Sequence, residues 1–285
     1  MKICAACFVD SNYINPAIVS INSFRRFNPS VHLIVYHESG MNTSPIRNAV
    51  GDDVEFRDVS IPEHFSIYDR IGKNNKYFDL FVPNRKTLTA FTARIHMLQQ
   101  LHDEFDLIVN FDLDTMFCGS VIKLISGCST DMIAGVSERE NRSRWMTNLH
   151  LNDIVPNSNY INAGFVVYGS AAISDISVDD YLLFLAEHPD DVFCPEQDFI
   201  NFRYGDRIVN IPKSYNLMFT DHDYRRVSPV MIHFYGQFKP WSCHGAIDGS
   251  DYYFRKYAIE VQKNDEFLSD EFKQLVTKTT KFNFL

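Results

Sequence analysis

No stretch of this sequence carries the clustered lysines and arginines of a nucleic-acid groove. The formal net charge is −9 and no basic stripe interrupts it, which argues against a phosphate backbone as the main ligand while leaving local anion sites open. An apolar run long enough to cross a bilayer is also missing. The apolar part of the first ten residues is too short for a signal peptide and has no cleavage site. It reads as a first strand, and the expected location is cytoplasmic. Cysteine is sparse and scattered, at Cys4, Cys7, Cys118, Cys128, Cys194 and Cys243. Only Cys4 and Cys7 have a Cys-x-x-Cys spacing, and on a strand they face opposite sides of the sheet. That disfavours a redox dithiol or a shared zinc and predicts buried free thiols. The chain contains neither an internal repeat nor a low-complexity tract.

What the chain does have, over 285 residues that are 45% hydrophobic, is enough apolar material for a full core. Continuous apolar runs at 3–9 and 31–36 suit strands of a mostly parallel sheet covered on both faces. Between them Ala17, Ile18, Ile21 and Phe24 recur at helical spacing, with Asn15 as the expected N-cap and Pro16 at the first helical position. Further strands are predicted at 54–59, 107–111, 132–136, 163–168, near 208 and at 230–234. Helices are predicted at 87–101, 178–187 and 196–202. Alternation of this kind gives an α/β fold, an α/β/α sandwich around a mixed, mostly parallel sheet. The irregular stretches 62–85 and 137–159 are long enough to be functional loops.

The strand at 107–111 ends in Asp112-Leu113-Asp114. Residues i and i+2 of an extended chain share a face, so two hard oxygen ligands meet where a buried strand emerges. Such a pair either turns the chain or holds a divalent cation. Ligands of open α/β sheets bind beyond the carboxyl ends of the strands, and Asp10, Asp112 and His233 are all expected at such ends.

Other blocks follow in order: Asp10-Ser11-Asn12-Tyr13, Arg94, Asn162-Ala163-Gly164, Glu196-Gln197-Asp198, and the run from His233 to Trp241, His-Phe-Tyr-Gly-Gln-Phe-Lys-Pro-Trp. With these the chain resembles the retaining nucleotide-sugar glycosyltransferases of family 8, which include bacterial lipopolysaccharide galactosyl- and glucosyltransferases and glycogenin. The resemblance implies a Rossmann-like GT-A domain over 1–245 and a helical, aromatic C-terminal extension over 246–285. It also implies hexose transfer from a UDP-sugar to a glycan, glycolipid or glycoprotein hydroxyl, and a Mn²⁺ or Mg²⁺ ion held by Asp112, Asp114 and His233. By the same resemblance Asp10, Asn12 and Tyr13 contact the nucleoside, and Arg94, Asp112, Leu113, Asn162, Ala163 and Gly164 line the donor. Gln197 lies near the anomeric carbon with Asp198 beside it, while Gly236 and Lys239 meet the diphosphate.

The residue chemistry agrees. An imidazole beside carboxylates leans a site toward Mn²⁺ over Ca²⁺, and Lys239 brings a point charge to a departing phosphate. A neutral amide at Gln197 is a poor nucleophile, which favours same-face attack, with Asp198 or Glu196 as the fallback carboxylate. Two positions depart from the family pattern: Asn110 replaces an aromatic residue and Glu196 replaces Asp.

Arg139, Arg142, Arg144 and Trp145 could cover the donor or grip an acceptor. The aromatic residues of 251–285 sit among balanced charges, so peripheral membrane contact and docking on the catalytic domain are equal expectations. The same carboxylate pair would also serve a nucleotidyltransferase, recognised by pyrophosphate release, or a protein that binds a nucleotide sugar or glycan without turnover.

Overall fold

The computed structural model describes residues 1–60, 71, 85–138, 160–218, 227–236, 239–242 and 251–280. Arg139, Arg142, Arg144, Trp145, Gln237, Phe238, Cys243, Phe282 and Phe284 lie outside the described residues, as does most of the stretch 62–85.

A seven-stranded sheet forms the centre, in the order β3 (Glu55–Val59), β2 (His32–Glu38), β1 (Ile3–Val9), β4 (Leu107–Phe111), β7 (Ile161–Gly169), β6 (Ile133–Ser137), β8 (Ile208–Asn210). Only β7 runs against the others, pairing antiparallel with both β4 and β6. The inner strands β1, β4, β7 and β6 are buried along nearly their whole length, which explains their apolar runs, while the edge strands β3 and β8 are partly exposed. In β1, Ala5, Cys7 and Val9 face one apolar cluster while Cys4 and Ala6 face the other, so the two cysteines are indeed separated by the sheet.

Helix α1 (Ile14–Phe27) lies in the first cluster, and α3 (Arg85–Leu101), α5 (Val178–Glu187) and α6 (Pro195–Tyr204) lie in the second. Phe24 of α1 packs at 5.0 Å from both Phe111 and Phe117. Burying a ring of this size is worth about 1.5–3 kcal/mol, so the start of the site is braced from below. Near the C-terminal end of the sequence come α7 (Asp251–Lys263) and α8 (Asp270–Thr280), whose Tyr253, Phe254, Tyr257, Val261, Phe272 and Val276 join the first cluster.

The expected cap of α1 is corrected. The helix begins one residue before Asn15, with Tyr13 at the N-cap. Asn15 reaches the C-terminal segment instead, its Oδ1 accepting from the Ser269 N–H at 3.1 Å and its Nδ2 donating to Ser269 Oγ at 3.2 Å. A tertiary contact has taken the side chain that local capping would have used. Helix α2 (Ser44–Val50), Pro45 in its first turn, and the single-turn helix α4 (Ile122–Ile125) were not anticipated.

A second sheet of three short strands, β5 (Thr115–Phe117), β10 (Met231–His233) and β9 (Leu217–Met218), sits beside the first. His233 therefore ends a strand of this small sheet and not of the central one, a correction to the sequence reading. The small sheet is what aligns it: β10 pairs antiparallel with β5, His233 opposite Thr115, one residue beyond Asp114.

Candidate active site

Asp112-Leu113-Asp114 spans the step by which the chain leaves β4 of the large sheet and enters β5 of the small one. The backbone there is fixed on both sides. Asp112 N–H donates to Gly164 O at 3.0 Å, Phe234 N–H donates to Asp114 O at 2.8 Å, and Thr115 Oγ1 donates to Asp112 O at 2.5 Å. Leu113 sits in the apolar core at 5% exposure, so its side chain serves packing.

Ligand atoms of Asp112, Asp114 and His233 all lie within 4.8 Å of one another. His233 Nε2 is 3.2 Å from Asp114 Oδ1 and 3.6 Å from Asp112 Oδ2. The other ring nitrogen, Nδ1, is 3.1 Å from Asn216 Oδ1. Asn216 Nδ2 donates to Asn162 Oδ1 at 2.8 Å, which leaves Asn216 Oδ1 as an acceptor. Nδ1 must then carry the hydrogen, and in the neutral ring Nε2 presents its lone pair to the two carboxylates. Asp114 Oδ1 is buried without a hydrogen-bond donor. An orphaned anionic oxygen beside an imidazole lone pair fits a divalent cation.

Both carboxylates have a cation on their other oxygen. Arg94 Nη1 is 2.8 Å from Asp112 Oδ1, and Lys239 Nζ contacts Asp114 Oδ2. Burial would push Asp114 up, but the Lys239 ammonium beside it overrides that and holds the carboxyl well below its usual range. For Asp112, burial together with the neighbouring Asp114 outweighs Arg94, and its pKa is raised.

Arg94 reaches this rim from α3 and is 8% exposed. Besides Asp112, its guanidinium meets Glu196 Oε2 at 3.1 Å, Ala163 O at 2.8 Å and Asn110 Oδ1 at 3.2 Å. Asn110, the departure from the aromatic pattern, donates in turn to Ala6 O at 3.2 Å. Glu196 is 1% exposed with Oε1 unpartnered, and burial raises its carboxyl to about 7 against the pull of Arg94.

The Gln197 amide is fully engaged. Oε1 accepts from Ala163 N–H at 2.8 Å and from Asn162 Nδ2 at 3.2 Å; Nε2 donates to Tyr160 Oη at 2.8 Å and to Glu138 Oε2 at 3.3 Å. Asp198 is saturated as well, accepting from Tyr160 O–H at 2.5 Å and from the backbone N–H groups of Phe193 and Cys194, both at 2.7 Å. Asn162 Nδ2 also bonds Glu138 Oε1. Gly164 lies beneath His233: a Cβ there would overlap ring atoms Cε1 and Nδ1 and come 2.8 Å from Asn162 Oδ1.

In the first block, Asp10 Oδ1 accepts from Asn12 N–H at 2.7 Å and Asp10 O from Tyr13 N–H at 3.1 Å, so the loop turns on itself after β1. Tyr13 stands edge-on to Trp241 at 6.3 Å, and burial raises its phenol to about 12. Gly236 has φ +69°, the left-handed region where glycine is favoured. The structure thus brings Arg94, Asp112, Asp114, Asn162, Ala163, Gly164, Glu196, His233 and Lys239 together, with Gln197 and Asp198 directly behind.

Sequence reading missed Glu138, Tyr160 and Asn216. Glu138 follows β6 as Asp112 follows β4, and a carboxylate at a strand end was a usable signal. Asn216, in the short 3-10 turn Lys213–Asn216, had none.

Several solved structures share the fold. Galactosyltransferase LgtC, in complex with donor and acceptor sugar analogs, is 17% identical, with 95% of this chain and 99% of that chain covered and a TM-score of 0.69. The bifunctional glycosyltransferase WbbM is 17% identical, with 99% of this chain but 52% of that chain covered and a TM-score of 0.65. GlyE of Streptococcus pneumoniae TIGR4 is 14% identical, with 97% and 62% covered and a TM-score of 0.62. No curated protein sequence matches. The profile described as Glycosyl transferase family 8 matches residues 4–245, most of the chain. The protein therefore belongs to glycosyltransferase family 8 and is a glycosyltransferase.

Proposed function

We propose that this enzyme transfers a hexose, namely glucose, galactose or N-acetylglucosamine, from a UDP-sugar to a hydroxyl of a glycan, glycolipid or glycoprotein, with retention of anomeric configuration. The observation that carries the reading is the cluster of Asp112, Asp114 and His233, with a bare imidazole nitrogen and an orphaned carboxylate oxygen converging. These three residues would hold Mn²⁺ or Mg²⁺. When bound, the ion supplies positive charge to the diphosphate that leaves.

In this reading Asp10, Asn12 and Tyr13 bind the uridine by hydrogen bonds and ring contact. Lys239, beside Asp114, turns its charge to the β-phosphate, and Gly236 lets backbone approach it. Arg94, Asn162 and Ala163 form the donor-sugar wall, while Gly164 leaves the space that His233 fills. Glu196 Oε1, buried and unpartnered, is free to meet a sugar hydroxyl.

For the chemical step we favour same-face displacement. The bond from C1 to the phosphate oxygen breaks as the bond from C1 to the acceptor oxygen forms, and the acceptor proton passes to the departing phosphate. Support comes from Asp198, whose two oxygens are occupied by donors, and from Gln197, a neutral amide held in place on both ends. A sugar covalently trapped on Asp198 or Glu196 in a slowed variant would overturn this step.

The same proposal has the enzyme working in the cytoplasm against a membrane surface. Helix α7 supports it: its exposed face carries Tyr252 and Ile259, at 49% and 45% exposure, among Arg255, Lys256 and Lys263. Apolar and basic groups on one face suit an anionic lipid surface, and no described helix is long and apolar enough to cross a membrane. Vesicle flotation tests it: wild type is expected to float with anionic vesicles, and Tyr252→Ser with Ile259→Ser is expected to stay behind.

A further inference from the structure

We infer that Thr279, in the last turn of α8 and beyond the family match, is a positioning residue for Lys239 and so sets the grip on the donor's second phosphate. The inference rests on the proposed role of Lys239. Thr279 Oγ1 donates to Ser242 O at 2.9 Å. Ser242 closes the turn that carries the lysine: its Oγ accepts from Lys239 N–H at 3.2 Å, and its own N–H donates to Lys239 O at 3.0 Å. Between these residues Trp241 packs against Tyr257 of α7 at 5.1 Å and Phe272 of α8 at 5.9 Å. The Lys239–Ser242 turn is thus fastened to the C-terminal helices by the Thr279 hydrogen bond and the Trp241 aromatic wedge.

Those helices are themselves a firm support. Glu260 of α7 receives Arg26 of α1 at 2.7 Å, Asn264 receives Asn22 at 2.8 Å, and Ser269 is held by Asn15. Trp241 also meets Tyr13 at the N-cap of α1. A load path therefore runs from α1 through α7 and α8 to Thr279, Ser242 and Lys239. Lys239 has a flexible four-carbon stem, and a point charge on such a stem aims well only when its backbone is fixed.

The test compares UDP, which has the second phosphate, with UMP, which lacks it. Affinities for both are measured calorimetrically with Mn²⁺ for wild type, Thr279→Val, Thr279→Ser, Ser242→Ala and Lys239→Met. Thr279→Val keeps the shape but removes the donor. It is expected to weaken UDP roughly threefold to tenfold while UMP binding stays within about twofold. Thr279→Ser restores the wild-type ratio. Ser242→Ala, which leaves α8 whole, shows the same selective loss. Equal weakening of UDP and UMP in Thr279→Val, or no weakening, overturns the inference while selective loss in Lys239→Met upholds the role of the lysine. No selective loss in Lys239→Met overturns that role and the inference with it.

Discussion

His233 lies directly over Gly164, so that any side chain at position 164 would occupy the space of the imidazole. The sequence motif Asn-Ala-Gly thus ends in glycine for a steric reason, and the ring that benefits is a candidate metal ligand 69 residues away in the chain. Replacing Gly164 with Ala is expected to displace His233. Overpacking of this kind destabilises by about 1–3 kcal/mol, and Mn²⁺ binding followed by electron paramagnetic resonance should weaken at least about tenfold. A variant that binds Mn²⁺ like wild type would show that the ring position is immaterial.

Asn216 fixes the tautomer of His233. Asn216→Leu removes the acceptor for Nδ1 and is expected to lower Mn²⁺ affinity about 10–100-fold, with a smaller change for Asn216→Asp, which keeps an acceptor oxygen. Equal effects of the two substitutions would count against the orienting role.

Arg94 is the buried cation between Asp112 and Glu196. Arg94→Met strands both carboxylates, and breaking a buried pair this way costs about 3–5 kcal/mol. Urea denaturation should find part of that recovered when Glu196→Gln is added, because one stranded charge is then gone. Additive losses would mean that the two side chains do not interact.

Glu196 makes stability depend on pH in a calculable direction. Its folded pKa, raised by burial to about 7, lies above the ordinary value of 4.5. The folded state thus holds a proton that the unfolded chain releases. The contribution is fully present below about 4.5 and is lost as pH rises through about 7. Asp112, also raised, acts in the same sense. Metal-free protein should therefore lose stability between pH 5 and pH 7.5, and Glu196→Gln should flatten that slope. Denaturant midpoints at several pH values measure it, and identical slopes would refute the assignment.

Much of this was legible in the sequence because it repeats with a period or forms a block. The apolar runs of β1, β2 and β4 and the helical spacing of α1 and α3 report burial directly. The Asp pair and His233 were legible through the ordered blocks around them. Three features were not. A strand was expected at 230–234, where β10 lies, but its partners β5 and β9 have three and two residues, too few for any period, so the small sheet that aligns His233 was invisible. Asn15 looked like a helix cap because local chemistry suits it, yet a partner 254 residues away claims its side chain. Asn110 stood out only as a departure, and its purpose emerges from Arg94, which packs on the same face of β4. In each case the missing information was a long-range contact, backbone pairing of very short strands for the small sheet and a single polar side chain for Asn15 and Asn110, which leaves no pattern along the chain.

The central claim is a metal-dependent sugar transfer at the Asp112, Asp114 and His233 cluster, and UDP release tests it most directly. Purified protein is incubated with an acceptor glycan, Mn²⁺ and, in turn, UDP-glucose, UDP-galactose and UDP-N-acetylglucosamine. The account predicts UDP release from at least one donor, abolished by a chelator and by Asp112→Ala with Asp114→Ala. Turnover by that double variant equal to wild type, or pyrophosphate in place of UDP, would contradict it.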